Sequence, residues 1–363
     1  METRTSIFET PLLGEHRTAG ARIGEFTGCR LPEGFSDFDS EYRAAKQSVA
    51  LIDTNWRLTA NFTGRDRAKY LHAITSGNVK DLATENGTLA LLLNPQGRIL
   101  AELEVYALTE SILLRSHVSL REQTIGTLRK YILGSQVKLE DATEATASFA
   151  IEGPRAAETI QQLCGLNLGD LAEMSISEVS IDQKKVHLLS RSHFDQPGAE
   201  FLVPREAISH LWTVALAAVR AHEGAPIGML ALNSLRLEAG VPWFPTDFND
   251  TVIPQEAAVE NSHIALNKGC YTGQEIVERV RSQGRVNRKR VLLKFSSAAP
   301  PPPGTKLRAA SGEVGAITSA AYSPANGAAV GMGYVRREQH APGSMVEYDG
   351  GSGYEGGKGE VMA

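Results

Sequence analysis

The sequence has few cysteines, no long apolar run and no strong excess of charge. Its 363 residues include three cysteines, 42% hydrophobic residues and a formal net charge of −5. The longest apolar runs, near Leu89–Leu93 and Val214–Val219, fall far short of the ~20 residues that a membrane span needs. The charge gives no global attraction to nucleic acid or anionic lipid. We therefore expect a globular protein of more than one domain that does not enter a membrane.

The N-terminus also lacks the pattern of a targeting signal. It carries Glu2, Arg4 and Glu9 and has no apolar segment. Secretory signals need such a segment, and transit peptides are poor in acidic residues. We therefore expect a cytoplasmic protein. Widely spaced cysteines without a CxxC pair predict neither a disulfide framework nor a cysteine metal site, so no bound metal is expected.

The three cysteines have different neighbourhoods. An isolated thiol is more often an inert core residue than a functional one. Cys29 and Cys164 keep that interpretation, and Cys164 follows Leu163 in a helix-like stretch. Cys270 differs because Thr272 and Glu275 stand three residues apart before an apolar stretch, which predicts a capping box.

A capping box there would place Cys270 just before a helix N-terminus, with Lys268 two residues upstream. Both the helix N-terminus and the ammonium favour thiolate over thiol. Cys270 and Lys268 are therefore candidate catalytic residues. The alternative is a capped helix preceded by an incidental cysteine.

Hairpins interleaved with helices predict an α+β fold with a largely antiparallel sheet. Leu89–Leu93 and Ile99–Leu108 flank the turn sequence Asn94–Gly97, and Ala207–Val219 has the apolar spacing of an amphipathic helix. Two strand–turn–helix units, with turns at Gly64 and Gly153, suggest an internal repeat.

The C-terminal part predicts a small antiparallel barrel. Pro300–Pro303 is a stiff break, and short strands with glycine turns follow it. The stretch Gly350–Gly359 is glycine-rich, which predicts mobility. The predicted domains are an N-terminal arm and helix (1–57), an α+β region with the repeat (58–290), the barrel (291–350) and a flexible tail (351–363).

The segment Lys268–Glu275 resembles the signature of the YgfZ family, folate-binding relatives of the glycine-cleavage T-protein that support iron–sulfur cluster proteins. The further signature residues are Gly269, Tyr271, Gly273, Gln274 and Glu275. The resemblance runs from about Leu58 to Val346 and includes Leu235–Gly240 and Ile253–Ala257. It implies a T-protein-like fold, with antiparallel sheets and helices around a central folate cavity and a small C-terminal β-barrel.

This sequence departs from T-proteins in two ways, and these indicate to which branch of the superfamily it is more similar. T-proteins transfer a methylene group from aminomethyl-lipoyl protein to tetrahydrofolate, and one of a pair of aspartates is catalytic. The matching positions here are Ala101 and Glu102, so that acid is absent or replaced. T-proteins also generally lack the signature cysteine. The resemblance thus implies an accessory protein, not a conventional turnover enzyme. It would act through Cys270 in assembly or repair of iron–sulfur proteins, with effects on tRNA modification through cluster enzymes.

The resemblance also implies tetrahydrofolate, or another reduced folate, as the cofactor. Glu200 resembles the T-protein glutamate that contacts the pterin, and Arg236 resembles the arginine near the folate tail. Trp56 could stack on a flat ring. The alternatives are solvation for Glu200, a surface ion pair with Glu238 for Arg236, and core packing for Trp56.

The basic run Arg279–Arg290 is expected to be a solvated surface. A polyglutamyl folate tail or RNA is the alternative partner, but no RNA-recognition motif is present, so direct nucleic-acid binding is not expected. The expected partners are folate and iron–sulfur proteins or their assembly machinery, and we expect a monomer. The alternative function is a tetrahydrofolate-dependent aminomethyl or one-carbon transferase, or a demethylase.

Overall fold

The computed structural model describes residues 7–351 and 354–362. Residues 1–6, with Glu2 and Arg4 of the predicted arm, and residues 352, 353 and 363 of the predicted tail lie outside the described residues. Among the described residues, no helix is both long enough and apolar enough to span a bilayer.

The strands follow one another throughout the chain. In chain order they are β1 (Phe8–Glu9), β2 (Arg22–Phe26), β3 (Cys29–Gly34), β4 (Ala50–Asp53), β5 (Arg57–Thr63), β6 (Gly87–Leu93), β7 (Ile99–Ala107), β8 (Ile112–His117), β9 (Lys138–Asp141), β10 (Thr146–Glu152), β11 (Ile176–Ile181), β12 (Lys184–Leu189), β13 (Gly198–Pro204), β14 (Ala225–Ile227), β15 (Arg288–Phe295), β16 (Lys306–Ala309), β17 (Gly312–Ser323), β18 (Ala328–Arg336), β19 (Met345–Tyr348) and β20 (Gly357–Val361).

The helices lie between them and are mostly short. They are α1 (Leu13–Thr18), α2 (Phe38–Gln47), α3 (Arg67–Ile74), α4 (Arg121–Lys130), α5 (Ala156–Cys164), α6 (Ile208–Ala221), α7 (Met229–Glu238), α8 (Pro254–Ala257), α9 (Glu260–His263) and α10 (Gln274–Gln283). Single 3₁₀ turns cover Val118–Leu120, Leu168–Asp170, Arg205–Ala207 and Arg337–Gln339.

Two sheets make up the larger part of the molecule. The first has the order β6-β7-β8-β5-β9, and all its neighbours are antiparallel. The second has the order β11-β12-β13-β10-β4-β14 and is antiparallel except for β4 and β14. A small sheet of order β1-β3-β2 lies at the N-terminus. The predicted α+β class with antiparallel sheets is therefore confirmed.

Each large sheet contains one strand–turn–helix unit, β5 to α3 and β10 to α5. The turns contain Gly64 at φ +97° and Gly153 at φ +138°. A Cβ at Gly64 would lie 2.2 Å from Gln136 O, and one at Gly153 would lie 2.6 Å from Ser48 O. Only glycine combines this backbone conformation with so close an approach.

Apolar side chains fill the space between sheets and helices. Phe62, Leu103 and Leu114 belong to a buried cluster on the first sheet, and Phe149 and Phe201 to a cluster on the second. Burying a large apolar side chain contributes about 1.5–3 kcal/mol. The two clusters therefore give each sheet its own core.

The C-terminal strands form a closed barrel of order β15-β18-β17-β16-β19-β20. Its first strand begins at Arg288, and its last, Gly357–Val361, pairs with both β15 and β19. The predicted barrel is confirmed, but the expectation of a flexible tail is wrong for Gly357–Val361. Without this strand, β15 and β19 would each present an open edge, which proteins avoid.

Candidate functional site

A cavity of about 290 Å³ lies where the N-terminal strands, both large sheets, α7 and the barrel meet. Its volume is at the lower end of the range for small-molecule sites. The wall combines aromatic rings with charged and polar groups. These groups include Trp56, Arg57, Glu102, His117, Arg191, His193, Arg236 and Trp243.

Two tryptophans form the flat part of the cavity wall. The ring centroids of Trp56 and Trp243 are 6.1 Å apart, and the planes are inclined at 40°. Trp56 also meets His193 edge-on. Trp56 thus lies where a bound flat heterocycle could stack on it, while still being only 7% exposed.

Arg236 lies on α7, is fully buried and contributes to the cavity wall. Its Nη1 donates to Asp247 Oδ2, its Nε donates to Asn233 Oδ1 at 2.9 Å, and its guanidinium carbon lies 4.7 Å from the Trp243 ring centroid. A surface pair with Glu238 is not formed, because Glu238 accepts from Tyr42 instead. Asp247 therefore fixes Arg236 in the wall and neutralises its charge. Nη2 is the nitrogen that remains to donate to a ligand.

Glu200 lies behind the cavity and not in its wall. Its Oε1 accepts from Thr54 Oγ1 at 2.8 Å and from Arg115 Nη1 at 2.6 Å. Burial raises the pKa of Glu200, but Arg115 and His193 outweigh burial and hold that pKa well below its usual range. The carboxylate is thus charged, with Oε1 occupied by protein donors and Oε2 without a hydrogen-bond partner among the described residues. Direct contact with a pterin stays a prediction.

His193 connects this buried pair to the cavity. Its Nδ1 lies 3.2 Å from Glu152 Oε2, and its Nε2 lies 3.6 Å from Glu200 Oε2. Burial lowers the pKa of His193, but the two carboxylates raise it further, so the net shift is upward. Glu200 can therefore act on the cavity through the orientation and charge of His193.

A second buried carboxylate holds two arginines in the wall. Glu104 Oε1 lies 3.1 Å from Arg57 Nη2 and 3.2 Å from Arg191 Nε. Burial raises the pKa of Glu104, but the two arginines lower it below its usual value. Both guanidinium groups lie in the cavity wall, so they offer N–H donors to a ligand bound there.

Glu102 and His263 form a carboxylate–imidazole pair at the cavity. Glu102 lies in the wall on β7, and its Oε1 is 3.0 Å from His263 Nε2. The other ring nitrogen, Nδ1, lies 2.8 Å from Ser262 Oγ. Ala101 is fully buried and supplies no acid. Of the two positions, only Glu102 supplies an acid at this edge of the cavity, and it has an imidazole partner.

The sequence interpretation missed His263 because no spacing rule marks it. It is an isolated histidine on the short helix α9, and its partner lies 161 residues away in the chain. His117, His193, Arg57 and Arg191 were missed for the same reason. The carboxylate partners of His193, Arg57 and Arg191 lie on distant strands, and the ring of His117 bonds to the neighbouring Ser119, so only the folded chain brings these groups to one cavity.

The signature segment lies outside this cavity. Cys270 is exposed, and neither it nor Lys268 contributes to the cavity wall. Tyr271 is buried in the core of the first sheet. Gln274 and Glu275 occupy the first turn of α10, and Gly269 has open space around its Cα.

The predicted capping box of Thr272 and Glu275 is wrong. Helix α10 begins at Gln274, its N-cap is Gly273 at φ +82°, and no side chain caps it. A Cβ at Gly273 would lie 2.6 Å from Asn94 O. Close packing on the Asn94–Gly97 turn therefore places a glycine at the cap, and Cys270 stands four residues before the helix.

Lys268 ties the signature segment to helix α3. Its Nζ donates to His72 O at 2.6 Å, to Gly77 O at 2.8 Å and to Thr75 O. Burial, helped by Lys80, lowers the pKa of Lys268 to about 8. All three ammonium donors have carbonyl partners when the group is charged, so Lys268 positions the loop, and its catalytic role with Cys270 stays a prediction.

Family models match almost the whole molecule. A GCVT N-terminal domain matches residues 12–268, and a glycine cleavage T-protein C-terminal barrel domain matches residues 288–353. The chain belongs to the glycine cleavage T-protein family. Membership confirms the predicted T-protein-like fold with its C-terminal barrel.

Individual relatives agree with this family. An aminomethyltransferase of Rubrobacter xylanophilus is 26% identical over 92% of this chain and 89% of that protein. One of Moorella thermoacetica is 27% identical over 93% of this chain and 92% of that protein. The crystal structure of aminomethyltransferase T from Bartonella henselae superposes with a TM-score of 0.88 at 23% identity, covering 99% of this chain and 97% of that one.

The buried His193 predicts a defined pH dependence of stability. Folding raises the pKa of His193. The charged histidine therefore contributes fully to the free energy of unfolding below the pKa of the unfolded chain, about 6.5, and this contribution is lost as pH rises through the folded pKa. The stability difference between the parent and His193→Gln should therefore shrink between pH 6 and pH 9 in urea unfolding.

His117→Gln is the matched control for this measurement. Burial and Arg57 lower the pKa of His117 to about 3, so this histidine is neutral in the folded protein. The difference in free energy of unfolding between the parent and His117→Gln should rise up to about pH 7 and then stay level. A difference for His193→Gln that grows with pH would contradict the raised pKa.

Proposed function

We propose that this chain binds tetrahydrofolate in the central cavity and carries out folate-dependent one-carbon transfer there. The observation that carries the proposal is a cavity with two tryptophan rings in its wall and the Glu102–His263 pair at one side. The relatives named aminomethyltransferase support the same reaction class.

The cavity residues fit the chemistry of a reduced folate. Trp56 and Trp243 offer aromatic faces for a pterin, and Glu102 offers a carboxylate that can accept from its N–H groups. Arg236 Nη2 is the donor available to the benzoyl-glutamate part. Glu200, which the resemblance assigns to the pterin, would act indirectly by holding His193.

Bound tetrahydrofolate would supply the amine nitrogens that accept the one-carbon unit. The chain would supply a proton acceptor and its partner. Glu102 Oε1 lies 3.0 Å from His263 Nε2, so the imidazole can hold the carboxylate in position to take up a proton. His263 is itself buried, whereas Glu102 is reachable from the cavity.

Folate binding is the first test. Stacking of a heterocycle on an aromatic side chain contributes about 1–3 kcal/mol, so Trp56→Ala should weaken tetrahydrofolate binding about 5- to 150-fold in calorimetry. Trp212→Phe is the control, because Trp212 is buried in the core of the second sheet. Absence of binding to the parent protein would overturn the cofactor assignment.

Proton transfer is the second test. Glu102→Gln should lower formation of methylene-tetrahydrofolate from an S-aminomethyl thioether donor, which releases ammonia and the thiol, about 10²- to 10⁴-fold, while tetrahydrofolate affinity changes only a few-fold. Glu110→Gln, an exposed glutamate after the same strand, is the matched control. Failure of the parent protein to form product from an aminomethyl donor would reject the transferase.

A second candidate function rests on Cys270. Its thiol is exposed in a segment that matches the YgfZ signature, and Ala101 replaces an acid that T-proteins carry. Both features favour a YgfZ-type accessory protein that binds folate and supports iron–sulfur proteins. In this interpretation the cavity binds the folate without turnover, and the thiol acts at the surface.

Replacement of Cys270 separates the two candidates. If the accessory function is correct, Cys270→Ala should lose complementation of a strain that lacks the iron–sulfur maintenance activity and should still bind tetrahydrofolate. Cys164→Ala, a half-buried cysteine at the end of α5, should complement fully. Full complementation by Cys270→Ala would exclude the thiol from the function.

A further inference from the structure

A second cavity, of about 370 Å³, lies on the other side of the segment that carries His263. It is bounded by residues 260–266, helix α10 and the start of the barrel. His263 in this segment pairs with Glu102 at the central cavity, whereas Glu260, Ile264 and Leu266 line the second cavity. The same few residues therefore separate two sites, and Cys270 follows four residues after Leu266.

The floor of the second cavity is aliphatic. Ile264, Val277, Val280 and Val286 line it together with Leu266. Leu266 is 53% exposed, although leucine is among the residues most often buried. The floor therefore offers a site at which one or two aliphatic side chains of a ligand can be buried.

The rim of the second cavity is cationic. Arg285, Lys289 and Arg337 line it, and none of the three has an ion-pair partner among the described residues. Arg281 is different, because its Nη2 lies 2.6 Å from Glu278 Oε2. Three unpaired cations thus face one lining carboxylate, Glu260, in a chain whose formal net charge is −5. Such a local excess favours an acidic ligand.

Two buried acceptor atoms in the wall lack donors. Gln255 Oε1 and Glu260 Oε2 have no hydrogen-bond partner among the described residues. The Gln255 amide is fixed, because its Nε2 donates to Val277 O at 2.9 Å. Buried polar atoms in proteins are almost always satisfied, so a ligand with N–H donors would complete this wall.

These features together match a peptide. Acidic side chains would pair with the rim, an aliphatic side chain would cover Leu266 and Val280, and backbone N–H groups would donate to Gln255 and Glu260. We propose that the second cavity is a docking site for an acidic, leucine-containing segment of a partner protein. The site is separate from folate binding and places such a partner beside the loop of Cys270.

The test uses a pentapeptide of alternating glutamate and leucine with fluorescein on its N-terminus, fluoresceinyl-Glu-Leu-Glu-Leu-Glu-amide, and fluorescence anisotropy with the full chain. We expect saturable binding that weakens at least about tenfold in the double variant Arg285→Glu, Arg337→Glu. Arg279→Glu is the control, since Arg279 is exposed on α10, which borders the cavity, but does not line it.

Two altered peptides separate the contributions. Replacing glutamate by lysine should abolish binding, and replacing leucine by serine should weaken it, as should Leu266→Ser in the protein. No saturable binding, equal loss in Arg279→Glu, or equal binding of the serine peptide would overturn the proposal. Circular dichroism checks the folding of each variant. The tetrahydrofolate affinity of the double variant is measured as well. We expect it to be unchanged, which shows that the loss of peptide binding does not come from damage to the central cavity.

Discussion

The central cavity depends on the buried contact between Arg236 and Asp247. Asp247 also accepts from Thr318 and Ser319 of the barrel, and its backbone carbonyl accepts from Tyr334. The same carboxylate accepts from the backbone N–H of Trp243, which places that ring against Trp56. Loss of one partner of a buried charge pair costs about 3–5 kcal/mol. One carboxylate therefore joins α7, the barrel and the aromatic wall into a single site.

The fold was predictable where it depends on local pattern and on the family resemblance. Hairpins, the helix near Ala207–Val219 and the barrel follow from turn residues and apolar periodicity. The strand Gly357–Val361 was missed because its glycine content indicates mobility. In the structure it is held in place because it pairs with β15 on one side and with β19 on the other. Likewise, Gly273 replaced Thr272 as the helix cap because α10 packs on a distant turn. In both places a tertiary contact outweighs the local signal.

The candidate site was only partly predictable, because its chemistry comes from pairs that are distant in the chain. Trp56 and Arg236 were named from resemblance, and both lie in the cavity wall. Glu102 was noticed only as a departure from an aspartate pair, and His263 was not noticed at all. Glu200 was expected in contact with the pterin but lies behind His193. A group could not be predicted when its partner lies far away in the chain, whatever its residue type.

The segment from Glu260 to Cys270 connects the two cavities with the signature residues. The segment carries His263 toward the central cavity, contributes Leu266 to the second cavity, and is anchored at Lys268 to the end of α3. A change in its position would therefore alter the Glu102–His263 distance and the aliphatic floor of the second cavity together. A carboxylate–imidazole distance of 3.0 Å leaves little room for such movement before the hydrogen bond is lost. The three Lys268 contacts restrict that movement, so the signature segment is relevant to the central cavity even though its thiol lies outside it.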